Sequence, residues 1–238
     1  MKNRVRPPST LLQYDRFLVA VAHPDDAEFS SAGTIARLTE AGKHVVIVQV
    51  TSGAKGTSDP AEPQSQMISI REAEERESAR RLGAEVDFLR QTDGELLPTL
   101  ELRGVMVRAI RRHQPDVVIT HDPFRPYAFH PDHRNVGLST FDACYPSARD
   151  AHAFPEQLAE GLEPHKTAEI WLFNAEFPDL YVDITSVIER KFDSLRAHVS
   201  QLPDPESTFA RVRDRAAELA EEQPFELAEA FKVVEMRR

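Results

Sequence analysis

The feature that most constrains the fold is a fourfold alternation of short apolar runs with helical segments. The apolar runs lie at 17–22, 44–51, 86–89 and 116–120. Continuous apolar runs of this length are typical of strands in a parallel sheet, because helices bury both faces of such a sheet. The alternation therefore predicts an α/β fold, a three-layer sandwich around a mostly parallel sheet.

The segments between these strands carry helix signals. Helices are predicted over 31–41, 67–82 and 100–112. Gly42 and Gly83 follow the first two, and glycine suits the left-handed conformation that ends many helices. The loop 52–66 contains glycines and prolines and is long enough to line a site.

The pattern loosens after residue 133. A helix is predicted near 135–148, strands at 170–173 and 180–183, a helix from an N-cap at Thr185 to about 201, and a charged helix over 207–222. The remaining tail carries no assignment. Because the length suits one α/β domain, we predict a single domain over 1–238.

Composition limits the class of partner. The chain has 29 Lys+Arg against 39 Asp+Glu, a formal net charge of -10, so no general attraction to nucleic acid or an anionic membrane is expected. The only cysteine, Cys144, allows no intrachain disulfide and is expected to be a buried thiol. No apolar run is long enough to span a bilayer. We therefore predict a cytoplasmic protein that acts on a small polar molecule.

Two dense groups of His and Asp follow the first and the fourth predicted strands. They are His23, Asp25 and Asp26 in the early group, and His130, Asp132 and His133 in the late group. In open α/β sheets, ligands bind beyond the carboxyl ends of the strands. The two groups are therefore expected at one edge of the sheet.

Metal-dependent hydrolysis is the chemistry that such groups favour. Imidazole and carboxylate ligands suit zinc, and three protein ligands leave a position open for water, whose pKa falls to about 7. A further carboxylate can act as general base without being a ligand, and the adjacent Asp25 and Asp26 allow that division. Fe²⁺ or Co²⁺ suits the same ligands. As an alternative, His23 and Asp26 close an ordinary turn by a side-chain hydrogen bond.

Several segments resemble the motifs of one family. Residues 22–28 (AHPDDAE), 33–35 (GTI) and 130–134 (HPDHR) resemble the N-acetylglucosaminyl deacetylase family, PIG-L/LmbE-like. The resemblance continues through 71–74, 82–83, 93–94, 182–185 and 195–198. It covers most of the chain and implies a Rossmann-like fold.

The resemblance also implies roles for the two groups. The ligands of one zinc ion per chain are His23, Asp26 and His133. Asp25 is the general base, and His130 stabilises the oxyanion or protonates the departing amine, while Asp132 orients an imidazole nearby. The family removes acetyl groups from N-acetylated amino sugars, and it suggests a homo-oligomer.

Three further residues are predicted to bind substrate. Arg71 and Asp93 fall where some family members contact the sugar. Some members place a tyrosine two residues before the first His of the late motif, whereas this chain has Ala128 there and Tyr127 one residue earlier. Each has a simpler alternative: a solvated face or an ion pair with Glu75 for Arg71, a turn for Asp93, and packing for Tyr127.

The leading hypothesis is a zinc-dependent enzyme that hydrolyses the amide of an acetylated amino sugar or a related small amide. A second hypothesis is an amidase that acts on a larger sugar-thiol, antibiotic or lipid-linked conjugate. A third is a metal-stabilised binding protein without activity. Asp25 argues against the third hypothesis, because a pure binding site needs no base beside its ligands.

Overall fold

The computed structural model describes residues 11–127 and 130–236. Its strands are β1 (Arg16–Val21), β2 (His44–Thr51), β3 (Glu85–Gln91), β4 (Val117–His121), β5 (Glu169–Phe173), β6 (Leu180–Asp183) and β7 (Ala228–Glu235). Its helices are α1 (Asp26–Glu40), α2 (Gln64–Leu82), α3 (Leu100–His113), α4 (Pro131–Cys144), α5 (Pro155–Ala159), α6 (Ile188–Leu195) and α7 (Pro205–Ala220). Short 3₁₀ turns lie at Ser147–Arg149, Thr185–Val187 and Val199–Gln201.

All seven strands form one sheet in the order β3-β2-β1-β4-β5-β7-β6. Strands β1 to β5 pair in parallel, whereas β7 runs antiparallel to both β5 and β6. The chain proceeds from β1 outward to β3 and then returns to the other side of β1 with β4. The order therefore reverses between β1 and β4, which is where ligands bind in open α/β sheets.

Helices cover both faces of the sheet. Phe17 and Val19 of β1 pack toward α1, α2, α6 and α7, while Leu18 and Ala20 of the same strand pack toward α3 and α4. Side chains of β1 are buried on both faces because a parallel strand lies between two helix layers. The predicted three-layer sandwich with a mostly parallel sheet is confirmed. Within the described residues, no helix is both long and apolar enough to cross a membrane.

Three predicted helices have clearly different bounds. Helix α1 begins at Asp26 rather than at 31. Helix α4 begins at Pro131 rather than near 135, because proline suits the first helical position and His130 accepts a hydrogen bond from Asp132 N as the N-cap. Asp132 and His133 therefore lie in the first turn of a helix. The helix predicted from Thr185 to about 201 is wrong, since α6 covers only Ile188–Leu195 between two 3₁₀ turns. Thr185 does not cap it; its hydroxyl accepts a hydrogen bond from Leu227 N.

The sequence pattern predicts no strand at the position of β7. Glu229, Lys232 and Glu235 interrupt its apolar residues, so neither a continuous apolar run nor a strict alternation marks the strand in the sequence. Lys232 pairs with Asp179 at 2.6 Å, and the buried Glu229 pairs with Lys191. These partners come from other elements, so the charges are compatible with burial only in the folded chain.

Cys144, at the last position of α4, is buried as expected. Burial raises the pKa of its thiol to about 12. The thiol is therefore protonated at neutral pH, which fits a packing role.

Candidate functional site

The two His/Asp groups meet at one cavity. Strands β1 and β4 are neighbours in the sheet, and both groups follow the carboxyl ends of these strands. The cavity has a volume of about 370 Å³ and is lined by His23, Asp25, Asp26, Lys55, Gly56, Arg71, Asp93, Gly94, His130 and His133. The loop 52–66 contributes Lys55 and Gly56, as predicted. The cavity size lies at the lower end of the range for small-molecule sites.

A tight turn between β1 and α1 sets the direction of His23. The backbone N–H of His23 donates to Asp26 Oδ2 at 2.8 Å, and the N–H of Asp26 donates to the His23 carbonyl at 3.2 Å. Asp25 adopts a left-handed conformation with φ of 105°, directly before the first helical residue. The simpler alternative of a hydrogen-bonded turn is therefore present, and the same turn brings the two side chains together.

Three potential ligand side chains converge in the cavity. Nδ1 of His23 lies 3.2 Å from Nε2 of His133 and 3.4 Å from Oδ2 of Asp26. The other carboxylate oxygen of Asp26 lies 3.1 Å from Nε2 of His133. A tetrahedral zinc ion with bonds of about 2.0–2.1 Å separates its ligand atoms by about 3.3 Å. The spacing of the three side chains therefore fits a metal ion.

Two carboxylates hold the other nitrogen of His23. Nε2 lies 3.1 Å from Asp93 Oδ1 and 3.3 Å from Asp132 Oδ2. The Asp132 carboxylate also accepts hydrogen bonds from the backbone N–H groups of Gly94 and Leu96, at 2.7 and 3.2 Å. Asp132 is fully buried and contacts a ring nitrogen of His23, so His23 is the imidazole that it can orient.

The charge around His23 suits a cation. Burial alone would lower the pKa of His23, but the carboxylates of Asp26 and Asp93 outweigh it and raise the pKa to about 10. The same negative charge that holds a proton on the imidazole is available to neutralise a divalent metal ion. Asp93 was predicted to bind substrate; its carboxylate contacts His23 and accepts from Lys55 N at 2.7 Å, although the residue also lines the cavity.

Three imidazoles form a stack beside the cavity. His133 lies between His121 and His130, with ring centroids 4.3 and 4.7 Å away and interplanar angles of 20° and 22°. His121 is buried, and its Nε2 accepts a hydrogen bond from Ala22 N at 3.3 Å. His121 therefore packs against the face of the His133 ring that lies away from His130.

His130 lies on the open side of this stack. Its Nδ1 accepts a hydrogen bond from Asp132 N at 3.2 Å, so a neutral imidazole carries its proton on Nε2. Burial, followed by the charges of His23 and His133, lowers the pKa of His130, which favours the neutral form. A neutral imidazole with a proton on Nε2 can donate a hydrogen bond to an oxygen that becomes negative.

Arg71 lies beneath Asp25. Nη2 of Arg71 donates to the carbonyl of Pro24 and lies 3.2 Å from Asp25 Oδ2, while Nη1 donates to the carbonyl of Gly53 at 3.4 Å. Arg71 is only 4% exposed and its carboxylate partner is Asp25, so the alternatives of a solvated face and an ion pair with Glu75 are wrong. Burial and the charge of Asp26 raise the pKa of Asp25 to about 7, against the opposing effect of Arg71.

Tyr127 is 91% exposed and is not one of the residues that line the cavity. Its backbone is in the left-handed region, with φ of 59°. The neighbouring Ala128 lies outside the described residues. Substrate contact by Tyr127 therefore stays a prediction.

A buried cluster next to the site was not anticipated. Nε2 of His198 lies 3.5 Å from Glu28 Oε2 and 3.8 Å from Glu75 Oε2, and all three side chains are fully buried. The segment 195–198 belongs to the family resemblance, but no role was assigned to it. A charged helix such as α2 looks solvated in sequence, so only the folded chain identifies Glu75 as an inward-facing residue.

A family model described as "PIG-L: GlcNAc-PI de-N-acetylase" matches residues 18–144. The matched span is more than half of the chain and includes every residue of both His/Asp groups. The chain belongs to the PIG-L family.

PIG-L relatives match beyond this span. The diacetylchitobiose deacetylase of Thermococcus kodakarensis is 36% identical over 183 residues, which cover 76% of this chain and 68% of that protein. The 1D-myo-inositol 2-acetamido-2-deoxy-alpha-D-glucopyranoside deacetylase of Mycobacteroides abscessus is 28% identical over 228 residues, 79% of this chain and 81% of that protein.

A solved structure confirms the fold. The N,N'-diacetylchitobiose deacetylase from Pyrococcus horikoshii, in complex with its inhibitor MPG, superposes with a TM-score of 0.90 at 31% identity. The match covers 97% of this chain and 87% of that one. The predicted family, the α/β fold and the deacetylase class of PIG-L enzymes, which act on a C–N bond, are thereby confirmed.

Proposed function

We propose that this PIG-L chain is a zinc-dependent hydrolase that removes the N-acetyl group from an acetylated amino sugar. The observation that carries the proposal is the convergence of His23 Nδ1, the Asp26 carboxylate and His133 Nε2 at separations of 3.1–3.4 Å. One zinc ion per chain is proposed there. When bound, zinc supplies Lewis acidity that makes water a nucleophile at neutral pH.

The residues around these ligands have separate roles in the proposed reaction. Asp25 lines the cavity without being one of the three proposed ligands, and it takes the proton of the attacking water. Asp132 and Asp93 hold the ring of His23 through its Nε2. His130 carries its proton on Nε2, and we propose that this N–H donates a hydrogen bond to the oxyanion. The proton that Asp25 takes from the water then passes to the leaving amine.

The proposed substrate class rests on the relatives and on the lining of the cavity. Both curated relatives are named as deacetylases of acetylated amino sugars or their conjugates. The cavity presents Lys55, Arg71 and Asp93, so charged and polar groups face the space beside the proposed ligands. Sugar hydroxyls form hydrogen bonds with such groups, whereas an apolar amide gains little from them.

Acetate release tests the proposal. The protein is stripped of metal with a chelator and reloaded separately with Zn²⁺, Fe²⁺ and Co²⁺. The panel contains N-acetylglucosamine, N,N'-diacetylchitobiose and larger conjugates of acetylated amino sugars. We expect hydrolysis of the acetylated amino sugars by the zinc-loaded protein and none by the stripped protein. Selective cleavage of the larger conjugates would instead indicate an amidase.

An Asp25→Asn variant separates catalysis from metal binding. Loss of the general base should lower kcat by about 10²–10⁴-fold while the zinc content stays unchanged. Asp15→Asn is the matched control, because Asp15 pairs with Lys43 at the opposite end of β1. No hydrolysis of any amide by the native chain at full zinc occupancy would contradict the proposal and favour a binding protein.

A further inference from the structure

A second cavity lies apart from the candidate site. It has a volume of about 300 Å³ and is bounded by α1, α6, α7 and β7. None of the residues that line it lines the first cavity. Its lining combines a buried ion pair, two arginines and an apolar wall, and none of these groups has a part in the chemistry proposed above.

The ion pair joins Lys191 of α6 to Glu229 of β7 at 2.6 Å, with the side chains 2% and 4% exposed. The carboxylate of Glu229 also accepts the backbone N–H groups of Gly33 and Thr34, at 2.9 and 2.7 Å. The negative charge of this carboxylate is therefore already neutralised, and its oxygens are already hydrogen-bonded. Glu229 offers little repulsion to a second anion in the cavity.

Lys191 retains hydrogen-bonding capacity. Its ammonium group donates to Glu229 Oε1 at 2.6 Å and to the carbonyl of Phe29 at 2.9 Å. An ammonium group has three N–H donors, so one remains beyond these two bonds with described residues. Lys191 lines the cavity, and a buried N–H without a partner is unfavourable, so it favours a ligand that accepts from it.

Two exposed arginines of α7 line this second cavity. Arg211 and Arg215 are four residues apart, so they share a face of the helix, and both line the cavity. Arg211 contacts only hydroxyl groups among the described residues, Ser207 Oγ at 3.4 Å and Thr208 Oγ1 at 3.1 Å. Its charge has no carboxylate partner there, whereas Arg215 pairs with Glu218 at 2.9 Å.

Most of the remaining lining residues are apolar, and Ser30, Asn174 and Thr208 are the polar ones among them. The wall between Lys191 and the arginines is formed largely by Phe29, Ile184, Val212, Ala216 and Leu219. We propose that this cavity binds a small carboxylate with an apolar body. The carboxylate accepts from Lys191 and Arg211, and the apolar body packs on Val212 and its neighbours. A guanidinium matches the two oxygens of a carboxylate, which favours that anion.

The charge of the whole chain makes such a site selective. With a net charge of -10, the protein does not attract anions in general. Binding of a carboxylate would therefore depend on the local cations of this cavity. Recognition requires both the charge and the apolar body, since a short anion such as acetate leaves the apolar side chains of the wall without a hydrocarbon chain to contact.

Calorimetric titration of the zinc-loaded protein with hexanoate tests the proposal. Hexanol supplies the same apolar chain without the charge, and acetate supplies the charge without the chain. We expect saturable 1:1 binding of hexanoate and at least about tenfold weaker binding of the other two probes. Equal binding of hexanol and hexanoate would overturn the proposal.

Variants on α7 locate the binding. Arg211→Gln should weaken the binding of hexanoate by about tenfold, and Val212→Trp should abolish it by filling the cavity. Arg213→Gln is the matched control, because Arg213 lies on the same helix but pairs with Glu189 and does not line the cavity. Hexanoate binding that persists unchanged in Arg211→Gln and Val212→Trp would show that hexanoate binds outside this cavity and would refute the assignment.

Discussion

Asp132 Oδ2 lies 3.3 Å from Nε2 of His23, on the opposite side of the ring from the nitrogen that faces His133. The same carboxylate accepts from Gly94 N and Leu96 N, which fix its position. A carboxylate behind a ligating imidazole sets its orientation and raises its basicity. Asp132 is therefore a positioning residue for His23.

Replacement of Asp132 by Asn should weaken zinc binding about 10–100-fold, because an amide holds the ring of His23 without the negative charge. Chelator competition measures the zinc Kd directly. Asp142→Asn is the control on the same helix, since Asp142 is partly exposed and pairs with Arg103. An unchanged Kd in Asp132→Asn would show that the charge has no influence on the ligand.

Replacement of Arg71 by Lys should lower kcat by about 10²-fold, because displacement of a catalytic group by about 1 Å can cost that much. A lysine keeps the positive charge but cannot contact Pro24, Gly53 and Asp25 together. Arg76→Lys is the matched control, since Arg76 is half-exposed on α2 and pairs with Glu72. Steady-state kinetics separate the two possible roles: an increase in KM with unchanged kcat would instead support the substrate contact predicted from the sequence.

Replacement of Gly53 by Ala should lower both stability and activity. Gly53 has φ of +62°, and a Cβ atom there would lie 2.3 Å from Nη1 of Arg71. Gly42→Ala is the control for backbone strain, because Gly42 has φ of +74° with nothing within 4 Å of the added atom.

In both variants the free energy of unfolding, measured with urea, should fall by about 1–2 kcal/mol, because alanine is strained in the left-handed conformation. Only Gly53→Ala should also lose kcat, since it displaces Arg71. Equal activity of the two variants would mean that the contact between Gly53 and Arg71 does not position the base.

The cluster of Glu28, Glu75 and His198 should make stability depend on pH. Burial and the charge of Glu28 raise the pKa of Glu75 to about 8. Burial alone would lower the pKa of His198, but Glu28 and Glu75 raise it to about 9. Both groups then bind protons in the folded chain that the unfolded chain has released, so the free energy of unfolding should fall as pH rises from about 5 to 9.

Glu75→Gln should flatten this dependence, because glutamine has no proton to lose. Urea unfolding of the zinc-loaded protein between pH 5 and 9 measures the slope. Glu77→Gln is the matched control on α2: hydrogen bonds with Arg80 and Arg81 lower the pKa of Glu77 to about 2, outside this window. A slope that is the same in Glu75→Gln as in the native chain would contradict the assignment.

Local sequence is enough to predict much of the sheet. It is also enough to predict that the two His/Asp groups meet. Strands β1, β2 and β4 are continuous apolar runs, and their signal needs no knowledge of the neighbours. His23 and His133 could be brought together because both follow parallel strands whose carboxyl ends share an edge. The motif resemblance supplied the roles that distance alone does not assign.

The features that could not be predicted from the sequence depend on long-range contacts. Arg71 and Glu75 look like surface residues of a charged helix, yet both are buried against partners more than 15 residues away. Strand β7 looks like a charged tail because the partner of Glu229 is Lys191 in α6. Burial of charge is decided by such partners, and periodicity does not reveal them.

The place of β7 in the sheet has a consequence for synthesis of the chain. Strand β7 lies between β5 and β6, although it follows all other described strands in sequence. During translation, at about 5–20 residues per second, β1 to β4 and both His/Asp groups leave the ribosome well before residues 228–235. The nascent chain therefore carries its proposed metal ligands while one edge of β5 is still unpaired, and that edge is the part most exposed to aggregation until β7 emerges.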